Sequence, residues 1–568
     1  MKTRFLRASE VEKLDEFRMN GWGVLPFFES LTLELSEILR LVLRQNYMDT
    51  SLTKPRSEEL AIGIFDKENL CGILRAKVEK DKLIVKSVVL LQTSNVSWEM
   101  LFTTLEKIAR TMEVDFLCLQ LEKELSPDQA EQLTKFGFEK NNRGFQKSIC
   151  SVNAYVFGGG GARGSYAIGV WKFFEEHGFD AEIVTGTSIG AASAGLFDSG
   201  GLERATELWE EIGTENILDF DQGEDIQESM TSMLKSVAKM GVTSVKETGI
   251  SVAPIYETIK KYYDFDKMAK SDRKIFIVTV EFPSMEEVVV NLKEKPRKEW
   301  VDWLIASGSF FPIMEAKEIQ GKYYIDGGYR NNLPIDIAEN LGANRIVAID
   351  VQGPGIDKTK LIAPKEVTAI EMFRSAWTLG AILHFDSLRS SDNIQLGYLE
   401  AYRRYSLAFG YWYTLVEENL EEKLQSLWQE FVATSPLEIE ENSLFAKVEK
   451  VYKSEVFREN LPLALLELLG KNANLSPLRM YSLEEFVLEL NQNESTLPVV
   501  KSMFEWTNEY YQQFFLLSDN KRAEKLKEIY NINSANERKK RILRVGMIFP
   551  LDTILILWEE FLHDRIYI

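Results

Sequence analysis

Two glycine-flanked segments, far apart in the chain, carry the residue types that acyl transfer needs: Gly186-Thr187-Ser188-Ile189-Gly190 and Asp326-Gly327-Gly328. The first follows an apolar run, Ile183-Val184-Thr185, and precedes an Ala-rich helical stretch at 191–197, which is the layout of a nucleophile elbow. A serine on such a turn stands clear of the sheet, and Gly186 and Gly190 relieve the crowding around it. The helix starting behind it aims free N–H groups and its positive dipole end at any oxyanion formed there. A serine hydroxyl also needs a base, and the chain has only three histidines. His177 ends a predicted helix at 165–177 beside Gly178, where a cation offsets the helix dipole; His384 falls in a predicted helix at 377–388, and His563 near the end of the last one. None follows a strand in the manner that delivers a triad histidine. Asp326, where a strand at 323–325 turns on Gly327 and Gly328, is the better base and gives a Ser188–Asp326 dyad. Such a dyad needs the carboxyl within roughly 2.6–3.2 Å of the hydroxyl and desolvated enough to be basic.

Upstream, a strand at 154–157 runs into Gly158-Gly159-Gly160-Gly161-Ala162-Arg163-Gly164, and a helix follows. Consecutive glycines between strand and helix expose backbone N–H groups to something that approaches closely. Two uses are open. A phosphate loop would need the lysine and hydroxyl that are missing here, and the loose G-x-G-x-x-G over 159–164 has only Glu182 to serve as a ribose-binding acid. An oxyanion hole would place amide donors beside Ser188 one βα unit later, with both loops at the carboxyl ends of adjacent parallel strands, where open α/β sheets build their sites.

The surrounding elements fit that placement. From Asn153 onward strands and helices alternate, with helices predicted at 202–212, 255–263 and 300–306 and strands at 274–280 and 346–350, which implies a parallel sheet with crossover helices. The acidic stretch 219–225 has Gly223 and Met230 where an EF-hand needs an oxygen ligand and its closing Glu, so it reads as a solvated loop. Residues 230–240, with Met233, Leu234, Val237 and Met240 at helical spacing, suit either core packing or a mobile cover over an acyl groove. Residues 1–150 read as a separate α+β unit: helices at 8–19 and 31–43, strands at 60–64, 70–78 and 83–91, a helix at 98–111, a strand at 116–119, a helix at 127–136 and a hairpin turn at Arg143-Gly144. Residues 414–568 read as a helical region broken at 472–477 and 491–495. Its basic cluster Arg538-Lys539-Lys540-Arg541 leads into an apolar helix, which suits either a lipid surface or a solvated face beside a core helix.

Together, and in order, Gly159 to Gly164, Gly186 to Gly190 and Asp326 to Gly328 resemble the three signatures of the patatin-like phospholipases. Ser307-Gly308-Ser309-Phe310-Phe311-Pro312 resembles that family's Ser/Pro segment before the aspartate. The resemblance covers residues 151–413 and implies an α/β fold, a three-layer α/β/α sandwich with a mostly parallel sheet. It implies lipid acyl hydrolysis, as a phospholipase, lysophospholipase or esterase, with Ser188 as nucleophile and Asp326 as base. The oxyanion hole would fall at Gly159, Gly160, Gly161 and Arg163, with Gly186, Gly190, Gly327 and Gly328 shaping the turns and with no metal or cofactor. A lipid or lysolipid is the implied partner. Water resolving the acyl-serine gives hydrolysis, and an alcohol intercepting it gives transacylation. From a different class comes a nucleotide-binding or scaffolding role for the glycine loop. The element order of residues 1–150 resembles the GNAT-like N-acyltransferase fold, but 91–97, at the position of the CoA-binding turn, lacks glycine, so this unit is expected to be non-catalytic.

Composition sets the outer limits. A chain of 568 residues exceeds a single core and suggests roughly three or four units. A net charge of −20 excludes the cationic footprint that nucleic acid requires and weakens attraction to anionic lipid. Cys71, Cys118 and Cys150 have neither metal-ligand nor framework spacing, as expected in a reducing compartment. The first residues show no signal-peptide pattern, and the apolar run 545–558 is interrupted by Pro550 and Asp552, short of the roughly 18 residues that span a bilayer. The expectation is a cytoplasmic protein that meets membranes from the surface; its pattern leaves the oligomeric state open.

Overall fold

The computed structural model describes residues 2–5, 22–24, 59–66, 69–91, 96–121, 125–141, 144–217, 251–360, 365, 368–452, 460–492, 535–546 and 550–567. The predicted helices at 8–19 and 31–43, the centre of the turn at 91–97, Arg143, the acidic stretch 219–225 and the Met-rich 230–240 lie outside the described residues.

The N-terminal unit is one sheet of β1 (Lys2–Phe5), β2 (Trp22–Val24), β3 (Glu59–Asp66), β4 (Asn69–Glu79), β5 (Lys82–Leu91), β6 (Phe116–Gln120), β7 (Glu139–Asn141) and β8 (Gly144–Ser148), in the order β1-β3-β4-β5-β6-β8-β7 with β2 also on β5. β5 and β6 run parallel because α1 (Trp98–Thr111) carries the chain back between them. Ser97 caps α1, whose Leu101, Phe102, Leu105 and Ile108 recur at helical spacing and turn one face into the sheet. α2 (Pro127–Lys135) opens on a capping box between Ser126 and Gln129. From 59 to 148 the predicted strands and helices appear within two residues of their expected bounds.

The central sheet contains β9 (Asn153–Phe157), β10 (Ile183–Thr187), β11 (Lys274–Phe282), β12 (Glu286–Asn291), β13 (Lys317–Ile319), β14 (Lys322–Asp326), β15 (Arg345–Ile349) and β16 (Ala369–Phe373), ordered β13-β14-β11-β10-β9-β15-β16 with β12 also on β11. β11, β10, β9, β15 and β16 are parallel, whereas β12, β13 and β14 are antiparallel to their neighbours. Alternation along β9 sends Tyr155 and Phe157 into the large core on one face and Ala154 and Val156 into a smaller core on the other. The large core is roofed by α3 (Ser165–Glu176), α4 (Ile189–Ser199), α5 (Gly201–Glu211), α6 (Ala253–Tyr262), α7 (Phe265–Lys270) and α8 (Trp300–Gly308). Short α9 (Ile335–Asn340) supplies Ile335 and Ala338 to the opposite face, and α10 (Ser387–Arg404) returns to the first. This is the expected three-layer α/β/α arrangement with a mostly parallel sheet. The predicted helix at 377–388 is not formed: the chain stays irregular through Gly380 at φ +90°, and α10 starts only after Asp386, whose carboxylate accepts from Arg389 N–H.

α1 packs against β16, the edge strand of the central sheet, which shields its unpaired edge. Just past α1, the Glu113 carboxylate pairs with Arg345 and accepts from the Tyr405 hydroxyl at 2.6 Å. Glu113→Gln is expected to lower the free energy of unfolding by about 2–3 kcal/mol, since it leaves the mostly buried Arg345 guanidinium short of a counter-charge. Urea titration of the two proteins side by side checks this.

The C-terminal region packs α11 (Leu420–Thr434), α12 (Glu441–Tyr452), α13 (Leu461–Asn472), α14 (Leu483–Gln492), α15 (Ala535–Gly546) and α16 (Pro550–Tyr567) around a separate apolar core, with β17 (Thr414–Leu415) and β18 (Met480–Tyr481) as a short parallel pair. Fully buried Glu467 on α13 accepts the N–H groups of Tyr411, Trp412 and Tyr413 and ties this region to the end of the central domain. The predicted break at 472–477 coincides with the end of α13, and most of the one predicted at 491–495 lies outside the described residues. Among the described residues, no helix is long and apolar enough to cross a membrane.

Candidate active site

Ser188 follows β10 directly, at φ 58° and ψ −126°, a backbone conformation that residues with a side chain avoid. The turn closes only on glycines: a Cβ on Gly186 would stand 2.1 Å from the Gly190 carbonyl oxygen, and one on Gly190 would stand 2.1 Å from that of Phe157. Ser188 N–H donates to Ser307 Oγ at 2.9 Å, and the Ser307 hydroxyl donates to the Val278 carbonyl at 2.6 Å. Two residues further on, the Ser309 carbonyl accepts from Asp326 N–H at 2.8 Å. The predicted Ser/Pro segment thus holds the backbones of both the serine and the aspartate. Ser307→Ala strands the half-buried Ser188 amide, so it is expected to cost about 1 kcal/mol of stability and to lower esterase kcat, as unfolding and turnover measured on one preparation would show.

Strand register explains why Asp326 arrives at the serine. Thr187 pairs with Val278 across the parallel β10–β11 ladder, so Ser188 lies level with Thr279. Asp326 pairs with Thr279 across the antiparallel β11–β14 ladder. The two residues therefore flank one point on β11 from opposite sides, roughly 10 Å apart along the sheet at about 4.8 Å per strand, a gap that their side chains close. The Asp326 carboxyl is close enough to the Ser188 side chain for the serine to favour its ionised form, and it accepts Gly328 N–H at 2.7 Å. Burial pushes its pKa from 3.8 up to about 6, against the opposing pull of the Ser188 side chain and the Gly328 amide.

The glycine loop divides its amides between structure and site. Gly158 N–H donates to Ile349 O, Gly159 N–H to Asn332 O, Ala162 N–H to Ile382 O and Arg163 N–H to Gly160 O. The Gly160 and Gly161 amides have no acceptor among the described residues, and both residues line a pocket together with Ser188 and Asp326. At two of the expected oxyanion-hole positions the donors have partners within the protein. Gly159 has its only donor committed to Asn332, and the Arg163 guanidinium donates to the carbonyls of Gln352 (2.7 Å) and Gly380 (2.8 Å), so it straps two loops together. Beyond the polar head the pocket is apolar, lined by Ile189, Leu208, Ile212, Ile259, Leu304 and Phe385 among others. No side chain caps α4, so its positive end opens beside Ser188.

The histidines stay out of the pocket lining. His177 is the C-cap of α3, with Nδ1 2.7 Å from the Phe173 carbonyl and its ring stacked on Phe173 at 4.1 Å. His384 is exposed on the irregular segment before α10, and His563 lies in α16 beside Asp564. Glu182 precedes β10 while Ser188 follows it, which puts the two ends of the strand about 17–20 Å apart and takes Glu182 away from the glycine loop. Among the described residues no cluster of three or more His, Cys, Asp or Glu could hold a metal ion. Sequence reasoning missed Asn332, which touches the glycine loop through both its backbone and its side chain, and the Gly353-Pro354-Gly355 segment, where a Cβ on Gly353 would stand 2.1 Å from the Gly159 carbonyl oxygen. The G-P-G punctuation after β15 was the one available signal.

Comparison with known proteins points the same way. Residues 155–339 match the family model of patatin-like phospholipases. Patatin-like phospholipase domain-containing protein 6 of Mus musculus is 26% identical over 378 residues, which cover 61% of this chain and 25% of that protein. The Drosophila melanogaster protein named neuropathy target esterase sws is 32% identical over 203 residues, 34% of this chain and 12% of its own. The Scheffersomyces stipitis protein named lysophospholipase NTE1 is 26% identical over 209 residues, 36% of this chain and 12% of its own. The chain spans a quarter or less of the length of these relatives.

Proposed function

We propose that the patatin-like phospholipase domain at residues 155–339 makes this protein a serine hydrolase of lipid acyl esters that works through Ser188 and Asp326. One observation carries the reading: a buried carboxyl beside a serine on a strained turn, at the head of an apolar pocket that also presents two amides with no acceptor among the described residues. Asp326 takes the Ser188 proton as the hydroxyl attacks the ester carbonyl, and the Gly160 and Gly161 N–H groups receive the oxyanion. A donor of this kind is typically worth about 3 kcal/mol of barrier. The alcohol leaves with the proton held by Asp326, and the same carboxylate then activates the water that cleaves the acyl-serine. The acyl chain rests among the apolar residues, where burial contributes about 0.8 kcal/mol per methylene. The test is fatty-acid release from a homologous series of acyl esters and lysophospholipids: kcat/KM is expected to rise with chain length, and no release from any member would overturn the reading.

A further inference from the structure

We propose that Asn332 is the positioning residue of the oxyanion hole, a role that rests on the hydrolase reading above. Asn332 lies six residues after Asp326 on the turn leading to α9, is almost fully buried and belongs to the pocket wall. It grips Gly159 at both polar groups. Its carbonyl accepts Gly159 N–H at 3.0 Å, and its side-chain Nδ2 donates to the Gly159 carbonyl at 3.1 Å. Its own N–H is spent on Ile356 O at 2.8 Å, which fixes the turn that carries it.

The consequence falls one residue along the chain. Across a trans peptide the Gly159 carbonyl and the Gly160 N–H point in opposite directions. Anchoring the carbonyl to Asn332 Nδ2 therefore sets the direction of Gly160 N–H, one of the two amides left free beside Ser188. Glycines on both sides of this peptide leave it without the steric restraint that a side chain imposes. Without the anchor the peptide plane can turn, and a turned plane presents a carbonyl oxygen where the developing oxyanion needs a donor. Crowding shows how closely the Asn332 amide fits: a Cβ on Gly159 would meet Asn332 Oδ1 at 2.4 Å and Ser188 Cβ at 3.1 Å. Asn332 touches no reacting atom in this scheme and acts through Gly160.

The experiment compares wild type with Asn332→Asp, which exchanges the donor for an acceptor, and Asn332→Ala, which removes it. Turnover of a long-chain p-nitrophenyl ester is measured along with inhibition by an alkyl trifluoromethyl ketone, which forms a tetrahedral alkoxide on a catalytic serine. Both variants are expected to lose on the order of 10²-fold in kcat, as for loss of one oxyanion donor, with KM within about twofold of wild type. Ketone affinity should fall by a similar factor. The acid limb of the pH profile should stay near pH 6 in Asn332→Ala, where Asp326 is untouched, and move upward in Asn332→Asp, where a second carboxylate stands beside it. Unchanged kcat, a change confined to KM, or loss of fold in both variants would overturn the inference. A wild-type protein that neither turns over the ester nor binds the ketone would instead overturn the hydrolase reading itself.

Discussion

Ser188→Ala is expected to lower esterase kcat by on the order of 10⁴–10⁶-fold while the protein stays folded. The nucleophile is lost outright, and what survives is the part of catalysis that the free amides and the pocket supply by themselves. Alanine keeps a Cβ and therefore keeps the strain at φ 58°, so Ser188→Ala should unfold much like wild type. Ser188→Gly should be as inactive but more stable by about 1 kcal/mol, because glycine reaches this conformation freely and offsets part of that gain only through the greater freedom of its unfolded chain. A difference between these two inactive variants in a urea titration would report the strain stored at the elbow; equal stabilities would mean that the turn is relaxed.

Asp326→Asn is expected to cost about 10⁴-fold in kcat and, at neutral pH, to stabilise the protein. The activity loss follows from removing the group that accepts the Ser188 proton while keeping its shape. The stability gain follows from linkage. The folded-state pKa, about 6, lies above the unfolded value of 3.8, so the folded protein binds the proton more tightly. That contribution to stability is fully present below about pH 3.8 and is lost as the pH rises through about 6. Above that point the ionised, buried carboxylate is a burden of about 3 kcal/mol that asparagine does not carry. The variant should therefore melt higher than wild type at pH 8, with the gap closing toward pH 4. Wild-type kcat/KM should fall about tenfold per pH unit below pH 6, as the base becomes protonated. An acid limb near pH 4 would mean that the carboxyl is solvated during turnover.

The sequence made the chemistry legible where local rules apply. Glycine on either side of Ser188 and after Asp326, an uninterrupted glycine run after β9, and alternating strands and helices follow from steric and periodic constraints that act over a few residues. The contacts that finish the site have a different origin. Ser307 reaches Ser188 across 119 positions, Asn332 reaches Gly159 across 173, and Arg163 reaches Gly380 across 217. No local pattern encodes such pairings; they depend on the register of β10, β11 and β14 and on where the loops after β15 and before α10 fall. The partners of Gly159 and Arg163 were hidden for the same reason, since only the folded chain shows which N–H groups are already spent. The predicted helix over 377–388 failed because its apolar spacing serves the pocket wall: Ile382, Leu383 and Phe385 line it from an irregular backbone whose Ile382 carbonyl holds Ala162 N–H.

The central claim is that Ser188 is a nucleophile activated by Asp326. Its most direct test is to treat the protein with an alkyl fluorophosphonate and locate the covalent adduct by peptide mass spectrometry. A single adduct on Ser188, absent from Ser188→Ala and formed far more slowly in Asp326→Asn, is the predicted result. An adduct on another residue, or ester hydrolysis that persists in Ser188→Ala, would contradict it.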